Sequence, residues 1–429
     1  METRPATLKA RIFHSLGWSA RIPKPTGPHL VRSFHFRIPG EHGVLSQVFF
    51  PVELVEHPQH EIKANVPPNT GPNNNGGSFN GDNNTSVVKR AYRNGVIKGF
   101  SYFSSTPRWL FDLFLGASPH PLADVPETAR PIVHEEGEHS MPWVLFSHGL
   151  GGNCEVYTKC CSDMASHGFV VIALEHEDGS GSFAKAVNGD IVRYQRPPQG
   201  MTYTREAVIQ FRAPFLKKRE QEIRRAVEFF TSPSDIVDQY QHSNVDLYHC
   251  LQSIHPDKVF LAGHSFGGAS TVHTVRSWPG RFRGAILMDI WSYPLPDLGA
   301  GIKDVPVCSV LSAPFESNGE SYLTWKLLRN SKDVRCNLFV PGSVHSSFSD
   351  TPWWTPSWMA LKFHLRGALD PCLVQKSLNN VYVTFMNDVL LGDSSAITTS
   401  DGAPTESLED GLLRTDELLR KFSKPSEYN

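Results

Sequence analysis

The sequence predicts an α/β fold, a mainly parallel central sheet flanked by helices. Short apolar runs recur along the chain: PWVLF (142–146), FVVIAL (169–174), KVFLA (258–262), GAILM (284–288), VPVCSVL (305–311) and VRCNLFV (334–340). Each has the length and unbroken apolarity of a strand buried on both faces. Several are separated by helical patterns, as in LKKREQEIRRAVEFF, where Ile223, Val227 and Phe230 recur on one face. Strands of that kind alternating with helices build a parallel sheet. In such a sheet chemistry collects beyond the carboxyl ends of the strands, which gives every motif a required location.

With 429 residues, 40% hydrophobic and 20% charged, the chain is globular in composition and long enough for one large domain or two smaller ones. A net charge of -2 removes the general electrostatic case for nucleic acid, which binds clustered positive charge. Seven cysteines without a C-x-x-C pair suggest neither a zinc ribbon nor a disulfide framework, and fit a reducing compartment. No run of about 18 apolar residues occurs, so no membrane-spanning helix is expected, while attachment to a membrane surface stays open.

The first residues are basic, with no acidic residue between Glu2 and Glu41, and lack the apolar stretch of a secretory signal; Glu2 in place of glycine excludes N-myristoylation. Residues 1–28 are read as a tail and 29–392 as one catalytic domain. Within that domain the Asn/Gly/Pro-rich stretch 66–86 is read as a flexible insertion. Residues 393–429, rich in Ser, Thr, Asp and Glu, are read as a second tail carrying one amphipathic piece, LEDGLLRTDELLRKF. The placement is cytoplasmic, peripheral to membranes.

KVFLAGHSFGGAST (258–271) sets Ser265 between Gly263 and Gly267, where a strand passes into a helix-like run. That is the context of a nucleophile elbow: a sharp turn lifts the hydroxyl out of the sheet, and glycines leave room for nearby backbone. A serine hydroxyl needs a base to take its proton. In α/β-hydrolases, whose elbow this turn resembles, the order along the chain is serine, acid, histidine. His345, in the small-residue loop VPGSVHSSF after a strand, is preferred over His364, which lies in the helix-like WMALKFHLRG. Asp289 ends its strand directly at MDIW and is the preferred acid. Glu316 in LSAPFE competes, while Asp297, Asp304 and Asp333 fall in turn-like or polar segments.

An oxyanion hole needs backbone N–H groups near the attacked carbonyl. FSHGLGG (146–152) follows a strand, so Leu150 or Gly149 is expected to supply one N–H and Phe266 the other. A phosphate loop is the alternative, but no G-K-S/T follows. HEEGEH (134–139) evokes a zinc-protease helix, yet its histidines are five apart and would not share a helical face. EHED (175–178) is expected to pair its charges locally, with Glu175 or Asp178 holding active-site loops, rather than to bind a metal.

Together FSHGLGG, ASHGFVVIALEHED, GHSFGGAS, ILMDIW, PGSVHSSF and the early PTGPHLV resemble the platelet-activating-factor acetylhydrolase family, in its plasma and intracellular type II branch, in order over roughly residues 26 to 370. The resemblance implies an α/β-hydrolase in which Ser265 is nucleophile, Asp289 acid and His345 base, with the Leu150 and Phe266 backbones as oxyanion hole. It implies calcium-independent hydrolysis of the sn-2 ester of platelet-activating factor and of phospholipids with short or oxidised sn-2 chains, with no metal or cofactor. Family members work at lipid interfaces. Two segments suit a headgroup boundary: SYFSSTPRWLFDLFLGA with Trp109, Leu110, Phe111, Leu113 and Phe114, and TPWWTPSWMALKFHLRG with Trp353, Trp354 and Trp358 beside Lys362 and Arg366. The chain departs from the family pattern at Glu177, where E-H-x-D commonly holds a basic residue, and in the 66–86 insertion. A general carboxylesterase with the same triad, and a silent hydrolase fold used for binding, are the competing readings.

Overall fold

The computed structural model describes residue 12 and residues 20–54, 90–126, 128–132, 141–232, 237–241, 243–313 and 321–392. The 66–86 stretch, HEEGEH, Glu316 and the 393–429 segment lie outside the described residues. The strands are β1 (Leu30–Arg37), β2 (Leu45–Glu53), β3 (Arg130–Pro131), β4 (Met141–Ser147), β5 (Val170–Leu174), β6 (Phe183–Lys185), β7 (Ile191–Arg193), β8 (Ile254–His264), β9 (Gly284–Met288), β10 (Val307–Ser312) and β11 (Val334–Val340). The helices are α1 (Asn94–Ser104), α2 (Arg108–Leu115), α3 (Thr158–Ser166), α4 (Arg205–Phe230), α5 (Val245–Ser253), α6 (Phe266–Ser277), α7 (Ser321–Arg329), α8 (Ser357–Lys362) and α9 (Pro371–Leu391).

All six apolar runs read as strands are strands, β4, β5, β8, β9, β10 and β11, and they pair in parallel in the order β5-β4-β8-β9-β10-β11. Alternate side chains divide between two cores. Val144, Phe146, Phe260 and Ala262 face α3 and α9; Trp143, Leu145, Val259 and Leu261 face α4 and α6. That division is the period-2 geometry of a strand covered on both sides, and each such large side chain contributes about 1.5–3 kcal/mol on full burial.

Two strands outside the expected set, β1 and β2, extend the sheet antiparallel through β2–β5 pairing, with β3 added beside β2. A further hairpin, β6–β7, stands apart from the sheet. The packed chain also starts earlier than residue 29. Ala20 and Ile22 are buried, and the Thr26 and Gly27 N–H groups donate to Asp163 and Ser166 on α3.

Helix boundaries follow local chemistry. The Thr204 hydroxyl caps α4 by accepting from the Ala207 N–H, and Asp370 caps α9, whose first residue is Pro371. The face of α4 that meets the sheet carries Ile223, Val227 and Phe230 as expected, but also fully buried Arg219 and Glu222. Those two charges point toward the carboxyl ends of the strands.

Candidate active site

At the end of β8, Ser265 takes φ 57° and ψ -118°. A non-glycine residue is held there only by its surroundings, at a cost of about 1–3 kcal/mol. The turn is locked by the Ser265 N–H donating to the Met288 carbonyl and the Trp291 N–H donating to the Ser265 carbonyl, both at 3.0 Å. Glycine is obligatory on either side. A Cβ at Gly263 would lie 2.2 Å from the Gly267 carbonyl oxygen, and one at Gly267 1.9 Å from that of Ser147.

One strand over, Asp289 follows β9 directly, as expected, and is wholly buried. Its carboxylate accepts from the Ser312 N–H and hydroxyl, each at 2.7 Å, and lies 2.6 Å from His345 Nδ1. Ser312, at the last position of β10, is a site residue that sequence reasoning missed; nothing in a lone serine at a strand end announces the role.

His345 opens a short 3-10 turn, His345–Phe348, in the loop after β11. Against a carboxylate its Nδ1 carries the hydrogen, so Nε2 carries the lone pair. The half-exposed ring lies against that of His264, the residue before Ser265, with centroids 4.4 Å apart. His364 instead sits exposed beyond α8 at φ 54°, its carbonyl accepting from Ser346 Oγ. Asp297 caps the Leu298–Ala300 turn and Asp333 pairs with Arg335, so neither contends as the acid.

The loop after β4 presses onto the elbow: a Cβ at Gly149 would come 3.0 Å from Ser265 Cβ. The Gly149 N–H is given to the Tyr157 hydroxyl at 3.0 Å, so of the two expected donors Gly149 is already engaged. Phe266 is the first residue of α6, where an N–H has no intrahelical acceptor. The His148 carbonyl is turned away by Arg219 Nη1 at 2.6 Å. Arg219 also donates to Asp178 Oδ2 at 2.9 Å and to Ser180 Oγ at 2.6 Å.

The EHED charges pair locally as expected. Glu175 meets Arg93, Glu177 meets Arg37 and Asp178 meets Arg219, while His176, held neutral by burial, is hydrogen-bonded to Glu222, whose own pKa burial raises. Burial, and then the Arg219 charge, push His148 down to about 3 and keep it neutral beneath the loop. Arg219 and Glu222 were missed; their signal is two ionisable residue types on the apolar face of α4.

His264, Asp289 and His345 bring their donor atoms within 4.8 Å of one another, a spacing compatible with a cation. Their chemistry is otherwise committed. His264 Nε2 lies 3.0 Å from the His345 carbonyl oxygen and must carry a hydrogen, and His345 Nδ1 is bonded to Asp289.

The residues read as a lipid boundary separate. Trp109 on α2 and Trp358 on α8 are 63% and 59% exposed, and Leu361 and Phe363 join them on the surface. Leu110, Phe111, Leu113 and Trp353 are only partly exposed. Phe114 and Trp354 belong to the core: the expectation for them is corrected, because Trp354 packs on Phe100 at 4.6 Å and gives its indole N–H to the Tyr92 hydroxyl at 2.8 Å.

The sheet order, with a strained serine turn at the end of its central strand β8, defines an α/β-hydrolase fold. A ferulic acid esterase from Streptomyces cinnamoneus shares it, with a TM-score of 0.56 at 16% identity over 90% of this chain and 98% of that one. The chain belongs to the platelet-activating factor acetylhydrolase, isoform II family, whose pattern matches residues 86–399. Relatives with the name platelet-activating factor acetylhydrolase occur in Cavia porcellus (29% identical over 261 residues, 58% of this chain and 57% of the relative) and Bos taurus (29% over 302 residues, 67% and 65%). Another, from Gallus gallus, is 28% identical over 319 residues, 70% of this chain and 72% of the relative. The chain thus spans 57% and 65% of the lengths of the first two relatives.

Proposed function

We propose that this chain is a calcium-independent serine esterase that hydrolyses the sn-2 acetyl, or short or oxidised acyl, ester of platelet-activating factor and related phospholipids. The observation that carries the chemistry is the 2.6 Å contact of His345 Nδ1 with buried Asp289, beside a strained Ser265, in a chain of this family. Ser265 attacks the ester carbonyl while His345 Nε2 takes its proton. The tetrahedral oxyanion is held by the Leu150 and Phe266 N–H groups. His345 then gives the proton to the departing lysolipid oxygen, leaving an acyl-serine, and water releases the acyl group by the reverse route. Asp289 holds the imidazole in the needed tautomer and offsets its positive charge. None of these steps calls on a metal or a cofactor.

The enzyme reads as one catalytic unit, read from the sequence as residues 29–392 and extended at its start by the packed residues 20–28, that meets its substrate at a lipid surface through the exposed aromatic residues of α2 and α8. No described helix is long and apolar enough to cross a membrane. Seven free thiols, six of them buried, support a reducing, cytoplasmic setting.

A phospholipid panel of increasing sn-2 length, assayed with and without a calcium chelator and beside Ser265→Ala, tests the reading. The expected result is fastest turnover of the acetyl and short-chain lipids, unchanged by the chelator, and loss of at least about 10⁴-fold in kcat for the serine variant with its Tm retained. Native-rate hydrolysis by Ser265→Ala would overturn the mechanism. Turnover of soluble esters without any of phospholipids would leave a general carboxylesterase, the reading that the fold alone supports.

A further inference from the structure

We propose that Tyr157 and His264 are positioning residues that tie the oxyanion loop to the catalytic base through one directed chain of hydrogen bonds. The inference rests on the triad reading above. The two loops it joins leave β4 and β11, four steps apart in the sheet, or about 19 Å at the usual spacing. Tyr157 sits just before α3, and His264 is the last residue of β8, between them.

Three contacts make the chain, and the chemistry of each atom fixes its direction. His264 Nε2 lies 3.0 Å from the His345 carbonyl oxygen, which only accepts, so Nε2 carries the hydrogen. The ring is neutral, because burial and the neighbouring His345 hold its pKa well below the usual histidine value. Its Nδ1 is therefore bare and accepts the Tyr157 hydroxyl hydrogen at 3.0 Å. The tyrosine oxygen in turn accepts the Gly149 N–H at 3.0 Å. Every donor and acceptor agrees with the next, and bonds aligned in this way reinforce one another in a buried setting.

Both ends of the chain bear on reacting groups. With the Gly149 N–H held by Tyr157, Gly149 is fixed against Ser265, where a Cβ would lie 3.0 Å from the Ser265 Cβ, directly before Leu150, the residue whose N–H the proposed mechanism assigns to the oxyanion. At the other end His345 is held twice, by Asp289 at its ring nitrogen and by His264 at its own carbonyl. An imidazole pinned at one point swings about it; pinned at two, it keeps its distance to the serine. Losses of about an ångström in such placement cost on the order of 10²-fold in rate.

The test uses the full chain and a soluble chromogenic acetyl ester, p-nitrophenyl acetate, so that it does not depend on the phospholipid substrate. Tyr157→Phe, His264→Ala, His264→Gln and the double variant Tyr157→Phe/His264→Ala are compared for kcat, KM and Tm. Tyr157→Phe and His264→Ala should each lower kcat by about 10–100-fold with KM within about twofold. The double variant should lose no more than the worse single one, since both cut the same chain. His264→Gln, whose side-chain N–H₂ reaches the position of the imidazole Nε2, should recover about tenfold of the alanine loss. Additive losses, effects confined to KM, unchanged kcat, or a glutamine no better than alanine would each overturn the proposal. A wild-type protein inert toward the ester, or a fully active Ser265→Ala, would instead strike the triad reading itself.

Discussion

Asp289 repeats at φ 44° what Ser265 does at φ 57°: each follows a buried strand without a spacer and turns through a conformation unusual for its residue type. The strain is the means by which a strand end presents a side chain sideways over the sheet edge. Other single residues here are charged or neutral only because of where they are buried. Burial and then the neighbouring His35 push His120 down to about 3, and His148 is held at a similar value. Burial alone would raise Glu155, but Arg93 and His35 pull it down to about 2. As pH falls from about 6.5 toward 3, the unfolded chain protonates both histidines while the folded one does not, so stability falls. Glu155 adds to the loss as pH drops from 4.5 toward 2. Asp350, raised to about 7 by burial, works in the opposite sense between 7 and 3.8, and the two histidines outweigh it. Buried His176 and His264, also held well below the usual histidine value by burial, act in the same sense as these two histidines, and Glu222, raised by burial, acts in the sense of Asp350. The unfolding free energy from urea titration should therefore fall between pH 6.5 and 4; a flat profile would contradict this account.

Among the elements, α4 does the least visible work. Its Arg219 bonds to Asp178, Ser180 and the His148 carbonyl, and so braces the loop after β4 from behind. Arg219→Met keeps much of the volume but leaves Asp178 buried without its cation, a loss of about 3–5 kcal/mol. Thermal unfolding should show it, together with a fall in kcat. Adding Asp178→Asn should restore much of the stability and little of the activity; full recovery of both would mean that Arg219 has no part in shaping the loop. The six parallel strands were legible because a strand covered on both faces must be apolar throughout. Strands β1 and β2 were not. Their pattern includes His35, Arg32 and Gln47; β1 is the edge strand, β2 lies between it and β5, and the place of both is set by the β2–β5 pairing, a contact distant in the chain. Of the candidate site, Ser265 was legible from its flanking glycines and His345 from its loop. Ser312, Tyr157 and Arg219 act through three-dimensional neighbours that no local spacing reveals.

Across the molecule as a whole, the two most exposed of the described tryptophans, Trp109 and Trp358, lie on neighbouring elements. Phe111 of α2 packs on Trp354, three residues before the start of α8, at 6.3 Å, so Trp109 and Trp358 are carried by neighbouring packed elements. Replacing both with alanine should weaken sedimentation with phosphatidylcholine vesicles by about tenfold or more, and raise KM for phospholipid in vesicles while leaving kcat/KM for a soluble ester within about twofold. Undiminished vesicle binding would remove this surface from consideration.

Six of the seven thiols are buried; Cys372 alone is exposed, at the second residue of α9 and against Trp353. The natural chain thus offers one address to a maleimide dye, close to the aromatic surface and requiring no engineered cysteine. Partial burial raises that thiol's pKa, so labelling is best driven in mildly alkaline buffer. A fluorophore placed there would report on its surroundings when the protein meets a vesicle.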